Sequence, residues 1–290
     1  MQSTNKEFAV FIMVHGRPDK MWTYHTLRKQ GYTGKIYLVA DDLDESRFEY
    51  KKIYGDELLI FDKNKAALEM DSGDNTGDLR STLFSANKIF DLAKELDINY
   101  FYIMCDDYTR FDYSFKKELQ YNTAHKPIQN MNYIFDCLLE FYVNSNIMTL
   151  AMGQGGDFIG GPNSGLWKKQ LKRKAMNSFL CSTDRPFKFV GRMNEDVTTY
   201  VNLGSKGKIF LTTALLRLEQ LSTQKEKGGL TDLYLEYGTY VKSFFSVMYN
   251  PSCVKIAEMG ISDKRIHHRI SWNNTVPVIL NQKHKKNGTK

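Results

Sequence analysis

Two adjacent carboxylates, Asp106 and Asp107, follow directly on the apolar run Tyr100-Phe101-Tyr102-Ile103-Met104-Cys105. A short apolar run that ends in turn residues reads as a buried strand. In an open α/β sheet, ligands bind just outside the carboxyl ends of the strands. Two acids placed there repel each other and lose water, so the arrangement asks for a compensating charge. A divalent cation held against a substrate's phosphates supplies one. The plainer alternative is an Asp-rich turn that closes the strand. Three further groups could join this chemistry. Asn194-Glu195-Asp196-Val197 has the form of a helix start, where the dipole stabilises carboxylates. His267 and His268 lie in Arg265-Ile266-His267-His268-Arg269-Ile270, which alternates enough to be a strand. The cationic run Lys168-Lys169-Gln170-Leu171-Lys172-Arg173-Lys174 sits beside Trp167. Such a run is commonly a solvated face, with nucleic-acid contact as the competing reading.

The elements that must position these residues are legible in the first half. Residues 8–14, 35–40, 58–61 and 100–105 read as strands. The first is continuous in apolar residues and so buried on both faces. Helices fall between them: residues 22–29, a segment capped by Asp44 and stopped by Gly55, and a longer one over residues 79–96. In the last, Leu79, Leu83, Ala86, Phe90, Ala93 and Leu96 recur at helical spacing. Residues 71–78 are polar and glycine-containing, as in a loop. This β-α-β-α-β rhythm implies a parallel, doubly wound sheet with right-handed crossovers.

Beyond Asp107 the alternation weakens. Residues 131–141 are expected as helix and 147–152 as strand. Residues 179–181, 187–190 and 208–213 are further strand candidates, with a helix from Asn194 to Leu203. Residues 241–247 fit either a strand or a buried helix. The glycine-dense Gly153-Gln154-Gly155-Gly156-Asp157-Phe158-Ile159-Gly160-Gly161 would let backbone approach a ligand, or serve as a flexible connector. It is no P-loop, because Pro162 follows where Gly-Lys-Ser/Thr would be needed. No internal repeat or long linker interrupts the 290 residues.

Composition narrows the classes. A net charge of +7 favours polyanionic partners such as nucleic acid or a phosphorylated substrate. The four cysteines, 105, 137, 181 and 253, lie far apart with no C-x-x-C pair. That spacing argues against a disulfide framework or zinc site and fits a cytoplasmic protein. The apolar run at residues 8–14 is too short and wrongly flanked for a signal peptide or membrane span.

Taken in order, several strings resemble a GT-A glycosyltransferase, and more narrowly the TET-associated glycosyltransferases encoded mainly by bacteriophages. They are Val14-His15-Gly16-Arg17-Pro18, Cys105-Asp106-Asp107-Tyr108-Thr109-Arg110-Phe111, and the glycine-dense segment 153–161. Ser182-Thr183-Asp184-Arg185-Pro186-Phe187, Asn194-Glu195-Asp196-Val197 and Arg265-Ile266-His267-His268-Arg269 complete the set. The resemblance spans about residues 8 to 275. It implies a GT-A-like single domain over residues 1–281 with a basic tail, 282–290. A Rossmann-like half, about 8–112, would bind the donor, and a mixed half, 113–281, the acceptor.

The implied activity is transfer of a hexosyl group from a nucleotide-sugar, a UDP-sugar, to a 5-hydroxymethylpyrimidine in DNA, foremost 5-hydroxymethylcytosine. The implied setting is the cytoplasm of an infected bacterium. The family pattern has three acids where this chain has Cys105-Asp106-Asp107. The last, Asp107, is then the ligand for Mn2+ or Mg2+, with His267 or His268 as a second ligand. Only one of two adjacent strand residues can face the ion. Asp106, His15, Gly16, Arg17, Asp41, Asp42 and Arg80 would contact the donor, and Asp157 its sugar hydroxyls. Asp196, supported by Glu195, would be the general base. Trp167, Lys168, Lys169, Lys172, Arg173 and Lys174 would contact DNA. Two rival readings keep the fold: a transferase acting on polysaccharide or protein, and a non-catalytic DNA-binding protein with a degenerate site.

Overall fold

The computed structural model describes residues 7–168, 178–221, 230–238, 240–259, 264–275, 277, 279, 281 and 282. The first half contains β1 (Phe8–Met13), α1 (Trp22–Lys29), β2 (Lys35–Asp41), α2 (Arg47–Tyr54), β3 (Leu58–Phe61), α3 (Lys63–Glu69), α4 (Leu83–Glu95) and β4 (Tyr100–Cys105). The second contains β5 (Tyr108–Tyr113), α5 (Met131–Ser145), β6 (Thr149–Gln154), α6 (Gly165–Lys168), β7 (Ser178–Ser182), α7 (Glu195–Ser205) and β8 (Phe210–Gln220). It ends with α8 (Leu230–Tyr237), α9 (Val241–Tyr249), β9 (Val254–Met259), β10 (Arg265–Ile270) and α10 (Trp272–Thr275).

Strands β1 to β8 form one eight-stranded sheet in the order β3-β2-β1-β4-β7-β6-β8-β5. β3, β2, β1 and β4 are mutually parallel, and β6 pairs in parallel with β8. β7 and β5 run antiparallel to their neighbours. This is the mostly parallel, doubly wound α/β arrangement expected from the sequence, and both halves of the chain contribute to the one sheet. The apolar strands alternate between two cores. Phe11, Phe101 and Ile103 join Leu83, Phe84, Ile89 and Phe90 of α4 on one face. Val10, Ile12, Tyr102 and Met104 join Leu27 of α1 and Met131, Phe135 and Leu138 of α5 on the other. Sandwiched strands must be apolar on both sides, hence the unbroken runs.

The strand order reverses direction between β1 and β4, which makes their carboxyl ends a topological switch point. A buried side chain frames that point. Gln30, at the end of α1, donates Nε2 to the carbonyls of Phe111 and Ile128 at 2.7 Å each. It accepts from the Phe111 N–H at 2.9 Å. The helix is thereby tied to β5, the strand that leaves the Asp106-Asp107 turn.

Several boundaries differ from the sequence reading. Residues 187–190 are not a strand: Asn87 takes both the N–H and the carbonyl of Phe189, and Thr199 Oγ1 accepts from Val190 N–H. Side chains satisfy the backbone that a ladder would otherwise pair. The helix expected from Leu79 begins at Leu83, because Asp78 folds back onto Arg80 N–H at 2.9 Å and holds an Asx turn. The strand expected over 208–213 runs from Phe210 to Gln220. It pairs first with β6 and then, past a register shift, with β5. Residues 241–247 fall in helix α9. β5, α3 and β9 were not anticipated. β10 is a strand, as expected, but pairs with β9 in a separate two-stranded sheet.

Candidate active site

The Asp106-Asp107 turn is clamped from the start of α1. Thr23 N–H donates to the Asp106 carbonyl at 3.0 Å, and Thr23 Oγ1 donates to the Cys105 carbonyl at 2.6 Å. Tyr108 N–H donates back to Thr23 Oγ1 at 2.9 Å. Asp106 is 4% exposed and takes the Arg17 guanidinium on Oδ1 at 2.8 Å. Burial pushes its carboxyl up to about 7; Arg17 opposes the rise and the Asp107 charge adds to it. Burial also raises Asp107, whose Oδ2 accepts from Gln220 Nε2 at 3.0 Å. Asp106 Oδ2 and Asp107 Oδ1 are buried without a hydrogen-bond partner. Burial, together with both aspartate charges, drives the Cys105 thiol well above its usual range, so it stays neutral and replaces no acid.

The exits of β1 and β2 meet beside this turn. His15 Nδ1 lies 3.5 Å from Asp41 Oδ2 and 3.7 Å from Asp44 Oδ2, and its pKa is raised chiefly by Asp41. Gly16 N–H donates to Asp44 Oδ2 at 2.9 Å, and Arg17 N–H to the Tyr50 hydroxyl at 3.0 Å. Asp41 is 3% exposed, and both its oxygens are engaged by the protein: Oδ2 with Lys63 Nζ at 2.9 Å, Oδ1 with Leu43 N–H at 3.1 Å. Burial raises Asp41, and the His15 and Lys63 contacts outweigh it, leaving the carboxyl lowered. Asp42 is half-buried and accepts from the Lys63 N–H at 2.8 Å.

Glu195 and Asp196 open α7, as the sequence suggested. Asn194 precedes them in the left-handed region at φ 59°, a conformation Asn tolerates. Its Nδ2 donates to Ser246 Oγ at 2.5 Å and lies 3.4 Å from His268 Nδ1. Thr82, just before α4, donates its hydroxyl to Glu195 Oε1. Burial, then the Asp196 charge, pushes the Glu195 carboxyl up to about 7, and Thr82 opposes the rise. Asp196 Oδ1 accepts from the Val197 N–H at 2.7 Å. The Glu195 charge also acts on the Cys105 thiol, so this acid pair lies within electrostatic reach of the end of β4.

Other candidates are placed apart from that core. Arg80 is bound to Asp78 at 2.6 Å and to Glu236 at 2.7 Å, so two carboxylates already hold the guanidinium expected to meet phosphate. Asp157 accepts from the Gln154 N–H at 2.6 Å and closes the turn after β6. Trp167 and Lys168 lie on the short α6, Trp167 edge-on to Phe115 at 6.0 Å. Lys169, Lys172, Arg173 and Lys174 lie outside the described residues, as do residues 283–290 of the basic tail. His267 and His268 have ring centroids 4.3 Å apart; His268 is buried and His267 half-buried. Among the described residues, one group of three acids or histidines brings its ligand atoms within 4.8 Å: Asp112, His125 and Glu219. Arg110 and Arg217 already contact both of its carboxylates, at 2.8 to 3.9 Å, so it is an ion-pair network.

The family model for TET-Associated Glycosyltransferase matches residues 8–229. The chain belongs to this family. The match includes both acid pairs and stops short of β10, where the resemblance read from the sequence continued to about residue 275. No curated protein matches the sequence. Among solved structures, glucosyl-3-phosphoglycerate synthase from Mycobacterium tuberculosis with Mg2+ and uridine diphosphate aligns at TM-score 0.45 and 8% identity, over 92% of this chain and 88% of that one. The same enzyme with Mn2+, uridine diphosphate and phosphoglyceric acid aligns at 0.43 and 8%, over 95% and 89%. S. aureus TarS aligns at 0.42 and 12%, over 82% of this chain and 39% of that chain.

In this TET-associated glycosyltransferase the acid pair that follows β4 fits a hard divalent cation. Its donors are carboxylate oxygens, two of them buried and partnerless, the set that suits Mg2+ or Mn2+. Sequence reading missed Thr23, Lys63, Thr82 and Gln220, and read Asp44 only as a helix cap. Each acts across 20 or more residues of chain, and no local motif marks such a contact. No described helix is long and apolar enough to cross a membrane.

Proposed function

We propose that this glycosyltransferase moves a sugar from a UDP-sugar to the hydroxymethyl group of a 5-hydroxymethylpyrimidine in DNA, with 5-hydroxymethylcytosine as the acceptor. One observation carries the reading. Buried Asp106 and half-buried Asp107, at a topological switch point, each present a buried, partnerless oxygen, within electrostatic reach of a second acid pair on a helix start. Asp107, with Asp106, would hold Mn2+ or Mg2+, which when bound neutralises charge on the diphosphate leaving group. His267 or His268 would supply a second ligand; His268 Nδ1 lies 3.4 Å from Asn194 Nδ2 at the head of α7, and His267 Nδ1 lies 3.0 Å from the His268 carbonyl. His15 and Arg17 line the donor side. Asp41, Asp44 and Lys63 hold His15 and the Gly16 backbone in place.

Asp196 takes the proton from the acceptor hydroxyl as its oxygen attacks the anomeric carbon and the bond to the diphosphate breaks. Glu195, oriented by Thr82, supports it. The DNA acceptor rests on family membership and is supported by the net charge of +7 and by Trp167 and Lys168 beside the cationic run. The test is incubation with UDP-sugars, MnCl2 and duplex DNA carrying 5-hydroxymethylcytosine or 5-hydroxymethyluracil, then mass spectrometry of the nucleosides. A hexose-mass increase on the hydroxymethyl nucleoside, absent with EDTA, is expected. Transfer to a carbohydrate extract with none to DNA overturns the acceptor assignment.

A further inference from the structure

The glycine-dense segment that continues β6 is far from the acid turn in sequence but close to it in the sheet. β8 lies between them, pairing with β6 on one side and with β5 on the other. Past a register shift, Gly153 stands opposite Arg217 and Gln154 opposite Leu218. Gly155 N–H donates to the Leu218 carbonyl at 2.9 Å, and Leu221 N–H donates to the Asp107 carbonyl at 3.2 Å. Two glycines allow the close approach of the segment to β8. A Cβ on Gly153 would stand 2.9 Å from the Phe158 ring and 3.2 Å from the Leu216 carbonyl oxygen, and one on Gly155 would overlap the Glu219 carboxylate.

Side chains complete the connection. Gln154 Nε2 donates to Gln220 Oε1 at 3.2 Å, and Gln220 Nε2 donates to Asp107 Oδ2 at 3.0 Å. The Gln154 backbone is itself fixed: its N–H donates to Asp157 Oδ2 at 2.6 Å, and its carbonyl accepts from the Asp157 N–H at 3.2 Å. The order of donors follows from the chemistry of the last acceptor. An ionised carboxylate only accepts, so Gln220 must turn its NH2 to Asp107 and its oxygen away. That oxygen accepts from the donor that Gln154 brings. With Oδ2 so engaged, Oδ1 is the Asp107 oxygen left without a hydrogen-bond partner.

We propose that Gln154 is a positioning residue for the carboxylate of Asp107, acting through the Gln220 amide. The inference rests on the reading of Asp107 as the ligand for Mn2+ or Mg2+ and adds to it the residues that orient that ligand. Groups that hydrogen-bond a ligating carboxylate fix which of its oxygens meets the ion, and their loss costs about 10- to 100-fold in metal affinity. Gln154 keeps the Gln220 amide the right way round. Without it the amide can turn over and set its oxygen against the carboxylate. The glycine-dense segment thus serves the donor side through a relay of two amides, and Asp157 holds the first of them in place.

The test is titration of the full chain with MnCl2 and uridine diphosphate, read by calorimetry and by the rise in melting temperature that a bound ligand gives. Gln220→Leu should weaken binding by about 10- to 100-fold, and Gln154→Leu by about 3- to 10-fold, since Gln220 still reaches Asp107 part of the time. In the double variant the loss should equal that of Gln220→Leu alone, because Gln154 then has nothing to act through. Gln154→Glu keeps size and polarity, but its carboxylate accepts from the Gln220 NH2 and draws it off Asp107. It should bind Mn2+ more weakly than the parent, although an added negative charge near a cation would by itself tighten binding. Parental melting without ligand shows that the variants fold. Parental affinity in Gln154→Leu, losses that multiply in the double variant, or tighter binding in Gln154→Glu overturns the relay. If Asp107→Ala loses the ion while Gln154→Leu and Gln154→Glu keep it, only the relay falls. If the parent binds no Mn2+ with uridine diphosphate, or Asp107→Ala binds it like the parent, the metal reading falls and takes the relay with it.

Discussion

Arg17 Nη2 lies 2.8 Å from Asp106 Oδ1, while Asp106 Oδ2 beside it has no hydrogen-bond partner. Arg17 leaves the end of β1 and Asp106 the end of β4, so the contact joins the two central strands where the sheet order reverses. One guanidinium faces the buried Asp106 and the half-buried Asp107, and the Asp106 carboxyl is driven up to about 7 by burial. The turn is short of positive charge.

A divalent cation would remove that shortage, and Asp107 is the group to test. Titration of Mn2+ with uridine diphosphate should show binding to the parent chain and at least about a tenfold loss, about 1.4 kcal/mol, in Asp107→Ala. The same pair of ligands should raise the melting temperature of the parent and leave that of the variant unmoved, since only a bound ligand stabilises. Equal affinity in the two proteins would remove Asp107 from the metal role. EDTA treatment should abolish transfer, and added Mn2+ should restore it.

The two carboxylates of α7 should separate by kinetics. Asp196→Asn keeps size and the Val197 contact but cannot accept a proton. General base catalysis contributes about 10²–10⁴-fold, so kcat should fall by that order with little change in donor affinity. Thr82→Val, which deletes the hydroxyl held by Glu195, should cost less, about tenfold, because it only frees the supporting side chain. An Asp196→Asn enzyme within a factor of two of the parent would assign the proton elsewhere.

Glu195 also predicts a pH signature. Its carboxyl is raised from 4.5 to about 7, chiefly by burial. A raised acid favours the folded state while protonated. That contribution is complete below pH 4.5 and is lost as pH rises through about 7. The melting temperature of Glu195→Gln relative to the parent should therefore rise across this window. Turnover should show an ascending limb near pH 7, set by the Glu195 carboxyl. A constant difference in melting temperature from pH 4 to pH 8 would refute the burial argument.

Much of this was legible in the sequence because periodicity reports burial. β1, β2, β3 and β4, the α4 face and the start of α7 follow from apolar spacing and caps. The acid pair after β4 stood out because carboxylates ended an apolar run. What stayed hidden was long-range. Nothing near Thr82 announces Glu195, 113 residues later, and nothing near Gln220 announces Asp107. The strand expected at 187–190 failed for the same reason: Asn87, 102 residues away, satisfies the Phe189 backbone that seemed to need a ladder. Arg80 stood at the expected place in the chain, yet Asp78 and Glu236 had already taken its guanidinium.

The cationic run should declare itself through salt. If Lys168 and its neighbours neutralise phosphates, the logarithm of DNA affinity should fall linearly with the logarithm of salt concentration. Each contact removed should reduce the slope by about 1. Lys168→Ala should show that step with both modified and unmodified DNA, because phosphate contacts carry no sequence information. A slope identical to the parent's would make Lys168 an ordinary solvated side chain.

Gln30 tests whether the frame of the site can be separated from its chemistry. Its side chain makes three buried hydrogen bonds to the backbone of Phe111 and Ile128. Gln30→Leu keeps the volume but strips the Gln30 partner from the Phe111 N–H and the Ile128 carbonyl, while the Phe111 carbonyl still accepts from the Ile128 N–H at 2.9 Å; each buried group left unpaired costs about 1–3 kcal/mol. A loss of about 3 kcal/mol or more is expected, measurable as a lower urea midpoint at unchanged slope. Gln30→Glu keeps the acceptor for Phe111 N–H but sets a carboxylate against two carbonyls, so it should be at least as damaging at pH 8. Because β5 starts at Tyr108, loosening its pairing with α1 also loosens the turn that carries Asp107. The Leu variant should therefore lose affinity for Mn2+ with uridine diphosphate even where it remains folded. Full affinity in a destabilised Gln30→Leu protein would show that Thr23, Arg17 and Gln220 fix the turn without Gln30.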